Sequence, residues 1–281
     1  MRGIILGMTT VSVVKANGDV EPFKGEKLVQ SLMHSGASRE ASEEVLRAVE
    51  KNLRDGTSTA SIYRRAFLFL RRKEKTAALR YSLRKALTEL GPSGFPFESF
   101  LSELFKEKGF NVQKGQIIQG KCVEHEIDLI ATNEKKHILA EVKFHNKRGT
   151  KTDLKVALYV SARFDDIPFI DGKWPKREGW LITNTKFSSS AIQYGLCKHF
   201  TFIGWNYPLK GNLKDMIEGS GLHPLTCLST LTKSQKNIFL SQDVVLCRDV
   251  LKRQDILDMA GVTKEKLPKI KEEIDMLCCA V

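Results

Sequence analysis

His125-Glu-Ile-Asp128-Leu-Ile and, after a short polar interval, Leu139-Ala-Glu141-Val-Lys143-Phe carry the chemistry of this chain and set its architecture. Both runs are apolar enough for strands, and the short interval makes them neighbours. A strand has a period of two, so Glu141 and Lys143 share one face. Asp128 on the adjacent strand can then sit beside Glu141. Two carboxylates at a strand edge form a hard oxygen site suited to Mg²⁺. A lysine beside them can position a water and balance negative charge building on a phosphate. Glu-x-Lys also occurs in many amphipathic strands as a plain surface pair. Here it follows an acid on the preceding strand and Glu98, which opens a helix expected over 98–108 with Phe100, Leu101, Leu104 and Phe105 apolar and Gly109 closing it.

The flanking pattern gives these residues a domain. Strands are expected at 111–113, 126–131, 137–144, 180–184 and 200–205, with helices at 153–164 and 188–196. This alternation predicts an α/β layered domain around a mixed sheet flanked by helices, spanning 92–212. Gly91-Pro-Ser-Gly94 reads as the linker before it. Ahead lies a domain over 11–90, a β-hairpin turning at Asn17-Gly18 and then a small helical bundle. Behind lies a helical, charge-balanced region over 213–281, with helices expected at 225–231, 238–251, 253–260 and 264–277.

The middle domain resembles the PD-(D/E)xK nuclease superfamily, and within it the Mrr-like restriction endonuclease domain. The resemblance rests on Gly94-Phe-Pro-Phe-Glu98, Gly109-Phe-Asn-Val, Glu126-Ile-Asp128-Leu-Ile-Ala, Glu141-Val-Lys143 and Gly179-Trp-Leu-Ile-Thr-Asn-Thr-Lys-Phe-Ser188 followed by Ala191. It implies that Asp128 and Glu141 bind the divalent metal, that Lys143 orients the attacking water, and that Glu98 matches the family's helix glutamate. Many Mrr-like domains carry Gln where this chain has Glu141. Glu126 faces the same side as Asp128, whereas Glu124 reads as solvent-facing. His125 and His145 flank the motif and read either as phosphate contacts or as loop histidines. Lys147, Arg148 and Lys151 read as phosphate contacts or a solvated loop. Trp174, Trp180 and Trp205 are expected in packing.

The front domain resembles the ATP-cone, a regulatory nucleotide-binding module. The matching pieces are Val13-Val-Lys15-Ala-Asn-Gly18, Glu21-Pro-Phe23, Lys27-Leu and Ala77-Ala-Leu-Arg-Tyr81-Ser-Leu-Arg84. The resemblance implies that Lys15, Gly18, Phe23, Lys27, Tyr81 and Arg84 surround an adenine nucleotide, ATP or dATP. Ala16-Asn17 departs from the Arg-Asp usual in that module, removing a positive charge from the triphosphate end. No Walker A motif occurs, so the nucleotide would regulate rather than drive a motor. The stretch 63–85 carries nine bases against one acid, Glu74, and reads as a DNA contact or a solvated face.

Charge and cysteine usage bound the partners. Formal charge is +12 with a pI near 9.4. The excess lies in residues 1–91 (+7) and 92–212 (+5), while 213–281 balances to zero. A polyanion partner is therefore expected at the first two thirds of the chain. None of the six cysteines forms a CxxC pair, which excludes a zinc ribbon. No apolar run approaches the roughly 20 residues that span a bilayer, and residues 3–14 read as a strand lead-in rather than a secretory signal. A cytoplasmic protein with reduced thiols is expected.

Together these features lead to a Mg²⁺-dependent DNA endonuclease gated by adenine nucleotide. A non-cleaving, nucleotide-responsive DNA-binding protein is the alternative. One such site cuts one strand at a time, so a double-strand cut would imply a homodimer.

Overall fold

In a computed structural model, residues 11–15, 18–147, 149–168 and 176–278 are described, Lys176 by its backbone alone. Ala16, Asn17, Arg148, Trp174 and Cys279, singled out from the sequence or counted among its cysteines, lie outside the described residues. The chain divides into two compact units between Ser82 and Leu83.

The first unit begins with β1 (Ser12–Val14) and β2 (Val20–Pro22), an antiparallel hairpin in which Val14 pairs with Val20. Gly18 closes the turn at φ +89°, a left-handed conformation that glycine adopts without cost. Helices α1 (Gly25–Met33) and α2 (Arg39–Glu50) follow. Then β3 (Thr57–Ser58) pairs parallel with β1, and α3 (Thr59–Lys73) and α4 (Lys75–Tyr81) complete the unit. Ser38 and Ser58 cap α2 and α3, each accepting a backbone N–H of the first turn. The helical periodicity meets in one core of Val13, Leu28, Leu32, Val45, Val49, Ile62, Ala66 and Leu70, with Phe23 and Tyr81 packed on it.

The second unit opens with α5 (Leu83–Thr88). Leu83, Leu87 and Leu90 are buried, and Ala86 accepts a hydrogen bond from the Thr226 hydroxyl at 2.8 Å. This stretch therefore packs with the second unit, whereas the sequence pattern grouped it with the front domain and put the linker at 91–94. Next come α6 (Phe95–Glu107), β4 (Asn111–Gln119), β5 (Glu124–Thr132), β6 (Lys136–Lys143), β7 (Lys151–Thr152), α7 (Leu154–Asp166), β8 (Lys176–Thr183), β9 (Lys186–Phe187), α8 (Ser189–Cys197) and β10 (Thr201–Ile203). The sheet order is β10-β8-β6-β5-β4. Strands β4, β5 and β6 form an antiparallel meander, while β6, β8 and β10 are parallel. This is the mixed sheet expected, flanked by helices.

Alternation assigns the two faces. Phe105 of α6 packs on Trp180, whose strand partner is Ala140. The neighbours Leu139 and Leu181 point the other way and cluster with Ala157, Val160 and Phe164 of α7 and Ala191 of α8. Strand β4 runs six residues beyond the expected 111–113. Its polar-apolar alternation along a sheet edge is too weak to read as one strand.

The last segment contains α9 (Leu213–Ser220), α10 (Lys233–Ser241), α11 (Gln254–Met259) and α12 (Leu267–Cys278). The helix expected over 238–251 does not form as one piece. Asp243 adopts φ +55° and ends α10. Val244–Leu246 then extends, and Val245 accepts a hydrogen bond from Leu225 N–H at 2.8 Å. The helix expected over 225–231 is only a short 3-10 turn for the same reason. Polar staples hold the segment together. Buried Glu273 accepts Ser229 Oγ and Thr230 N–H, and Lys236 Nζ donates to Thr226 O at 2.8 Å. The five described cysteines are free thiols. Among the described residues no helix is long and apolar enough to cross a membrane.

Candidate active site

Asp128 marks an interruption in the sheet. The β5–β6 ladder runs from Thr132–His137 to Leu129–Ala140 and stops there. On the other side, the β4–β5 register skips from Lys114–Leu129 to Gln116–Ile127, and Gly115 between them has φ +57°. Asp128 therefore sits at an unpaired position of the β4–β5 ladder and just past the end of the β5–β6 ladder. Its carboxylate takes the place of a backbone acceptor, with Val142 N–H donating to Asp128 Oδ2 at 2.6 Å.

Glu141 lies opposite, on β6, 2 % exposed. Its two oxygens are held by different cations. Lys143 Nζ reaches Oε1 at 2.5 Å, and Arg163 Nη1 reaches Oε2 at 2.5 Å. The expected side-by-side placement of Glu141 and Lys143 is thus a direct ion pair. Lys143 is half-buried, and its backbone carbonyl accepts from the Thr183 hydroxyl at 2.7 Å, tying β6 to β8.

Glu98 sits in the first turn of α6. Its carboxyl is pushed up to about 7, mainly by burial and then by the negative charges of Asp128 and Glu126, with Lys114 opposing. Asp128 is pushed up to about 6, again by burial first and next by Glu141, while Val142 N–H, Lys143 and Arg163 pull it down. Both carboxyls thus sit in a half-buried site with more negative charge than it neutralises. Among the described residues no group of three or more His, Cys, Asp or Glu closes into a ready cation site. Asp128 and Glu141 are the pair whose oxygen donors suit a hard divalent ion, and the raised carboxyls are what such an ion would relieve.

The other sequence candidates separate. His125 Nε2 lies 2.7 Å from Asp166 Oδ2. That hydrogen bond is the main reason Asp166 is lowered to about 2, and Asp166 also accepts Cys122 N–H and Val123 N–H. His125 therefore braces the β4–β5 turn. His145 is held by its ring to the Thr152 hydroxyl at 3.0 Å and by its backbone to Asn184, which both accepts His145 N–H and donates to its carbonyl. Burial and nearby Lys143 lower its pKa. Glu124 and Glu126 are exposed, as are Lys147 and Lys151. Trp205 is buried, and Trp180 packs on Phe105.

Sequence reasoning missed Arg163 and Asn184. Arg163 is 8 % exposed, and its Nε is buried without a hydrogen-bond partner. The signal was present: Arg163 falls three residues after Val160, on the apolar stripe of α7, where a cation has to find an acid. Asn184 is 1 % exposed and joins the chain leaving β6 to the chain leaving β8.

Of the six residues proposed for nucleotide, five lie in the first unit and Arg84 in the second. Lys15 pairs with Glu21 at 2.7 Å. Gly18 has open space where a Cβ would stand. Phe23 packs on the core, Lys27 is exposed on α1, and Tyr81 stacks on Tyr63 with ring centroids 5.0 Å apart.

A family model described as AF1548-like, C-terminal, matches residues 223–278. A protein of Archaeoglobus fulgidus, described as uncharacterized, is 34% identical over 174 residues, which are 62% of this chain and 97% of its own length. The crystal structure of a protein of unknown function, AF1548, aligns with a TM-score of 0.54 at 31% identity, covering 67% of this chain and all of that one. The MspJI restriction endonuclease, in complex with a 27-mer oligonucleotide, aligns only loosely, with a TM-score of 0.33 at 13% identity over 74% of this chain and 44% of that one.

Proposed function

The chain belongs to the AF1548-like family, and we propose that it is a Mg²⁺-dependent DNA endonuclease responsive to an adenine nucleotide. The observation that carries this reading is the meeting of Glu98, Asp128, Glu141 and Lys143 at the end of the β5–β6 ladder, with two carboxyls raised first by burial and then by neighbouring carboxylates. Perturbed acids of this kind concentrate at reactive sites. Asp128 and Glu141 would hold the Mg²⁺, which when bound stabilises charge on the phosphate. Lys143 orients the attacking water and offsets the charge that gathers on the non-bridging oxygens. The water oxygen bonds to phosphorus as the bond to the 3′ oxygen breaks. One water proton ends on that oxygen, leaving a 5′-phosphate and a 3′-hydroxyl. Arg163 keeps Glu141 aimed from behind. In the first unit, Lys15 and Lys27 would meet the phosphates of ATP or dATP, and Gly18 admits them close to the backbone.

One observation favours a second reading. Both oxygens of Glu141 are already occupied by cations, as they would be in a protein that binds DNA without cutting it. Supercoiled plasmid incubated with Mg²⁺, with and without ATP or dATP, decides between them. Nicking that disappears in EDTA, in Asp128→Ala and in Lys143→Ala supports the nuclease. Binding without cleavage under every nucleotide condition supports the second reading.

A further inference from the structure

The nine bases of 63–85 do not form one surface. Arg84 and Lys85 belong to the second unit, and Lys73 is paired with Glu44 at 2.8 Å. Helix α3 contains no acidic residue between Thr59 and Lys73. Its buried stripe is Ile62, Ala66 and Leu70. On a helix of 3.6 residues per turn, Arg64, Leu68 and Arg71 project from the opposite side and Arg72 and Arg65 from its flank. Arg64, Arg71 and Arg72 are exposed, and Arg65 is half-buried. Among the described residues none of the four arginines pairs with a carboxylate. Arg65 donates to Asn52 O at 2.6 Å, Arg71 lies 5.7 Å over the Phe67 ring, and Arg64 and Arg72 have no hydrogen bond or ion pair among the described residues. Lys15, Arg39 and Lys73 of the same unit are by contrast neutralised by neighbouring acids.

We propose that this ridge of α3 docks duplex DNA, outside the Asp128 site. The two arginine pairs are seven residues apart, about 10.5 Å along the axis at 1.5 Å per residue. That spacing approaches the roughly 12 Å width of the B-form major groove. Arg64 and Arg65 can meet phosphates of one rim and Arg71 and Arg72 those of the other. Leu68, 44% exposed between them, lies over the groove, where thymine methyls are presented. A-form RNA offers a major groove too narrow for this span. The exposed apolar side chains of α3 are Leu68 and Phe69, too few to insert into a membrane surface. The inference rests on DNA being the substrate and adds a surface to that reading.

The test reads binding without cleavage. The full-length protein in EDTA is titrated against a fluorescent duplex of about 30 base pairs between about 50 and 200 mM salt, following anisotropy. The Arg64→Gln/Arg65→Gln/Arg71→Gln/Arg72→Gln variant should lose about 10- to 100-fold in affinity, with a salt slope shallower by roughly two to four, since each phosphate contact contributes about 0.9. The four corresponding Arg→Lys changes should retain the slope. If the Gln variant melts early, Arg64→Gln/Arg72→Gln, which removes two exposed side chains without a hydrogen-bond or ion-pair partner among the described residues, should still lower the slope by about two. Unchanged slope and affinity would overturn the proposal, as would losses confined to duplex RNA or to anionic phospholipid vesicles. Plasmid cleavage with an unchanged slope would leave the nuclease standing and this surface refuted. A lowered slope in a protein that never cuts would do the reverse.

Discussion

The two units handle charge in opposite ways. The second unit buries it: Glu141, Arg163 and half-buried Lys143 form a three-way pair on the inner side of a sheet. The first unit leaves four arginines on one helix with no acid paired to them among the described residues. Buried charges are costly unless their geometry is fixed, so they are retained where an arrangement matters. Exposed charges cost little and act at a distance, which suits the capture of a polyanion. The difference separates a place built for chemistry from a surface built for encounter.

The comparison breaks first at Lys143. Lys143→Ala should lower the rate of plasmid cleavage about 10³-fold while duplex binding in EDTA stays near wild type. A protein that cuts as before would remove the chemical half of the contrast. Arg163→Met comes next. It leaves Glu141 buried with one cation instead of two and should destabilise the fold by about 3–5 kcal/mol, read from denaturant midpoints. Arg163→Lys should recover part of that loss.

The pH dependence gives a smaller effect. Asp128 and Glu98 bind protons more tightly folded than unfolded. The stability this confers is complete only below their ordinary values of 3.8 and 4.5 and is lost as pH rises through about 6 and about 7. His137 and His145, both lowered chiefly by burial, act the other way, so a variant isolates the carboxyl. In the absence of metal, Asp128→Asn should be more stable than wild type by roughly 1–2 kcal/mol at pH 8. The gap should close toward pH 5, where wild-type Asp128 is protonated. Mg²⁺ should raise the melting temperature of wild type at pH 8 and leave that of the variant nearly unchanged. The smallest effect belongs to the first unit. Arg64→Gln/Arg72→Gln should leave the midpoint within about 0.5 kcal/mol of wild type. A larger change would mean that these side chains hold the fold as well as facing outward.

Much of the second unit was legible in the sequence because its signals are periodic. Alternation put Glu141 and Lys143 on one face, and a short interval put Asp128 alongside. What escaped was carried by tertiary geometry. The place of Arg163 on the apolar stripe of α7 was readable, but the acid it meets there is supplied only by the packing of α7 on the sheet. The extended chain at Val244–Leu246 was hidden inside an apolar run that fits helix or strand equally. It is settled by Asp243 turning left-handed and by pairing with a segment some twenty residues earlier. In the first unit the hairpin and helices followed from Asn17-Gly18 and from the helical i,i+4 spacing of Leu28 with Leu32 and of Val45 with Val49. A nucleotide site depends on how side chains converge, which spacing does not encode.

The hydrogen bond from Val142 N–H to Asp128 has a consequence for observation. A backbone amide that would otherwise be an anonymous rung of a ladder is wired to the ionisable group at the centre of the site. Its proton resonance and its exchange with solvent will follow the charge on that carboxylate. A single amide signal can therefore report protonation, divalent-ion binding and substrate arrival from within the sheet, without any label placed in the site itself.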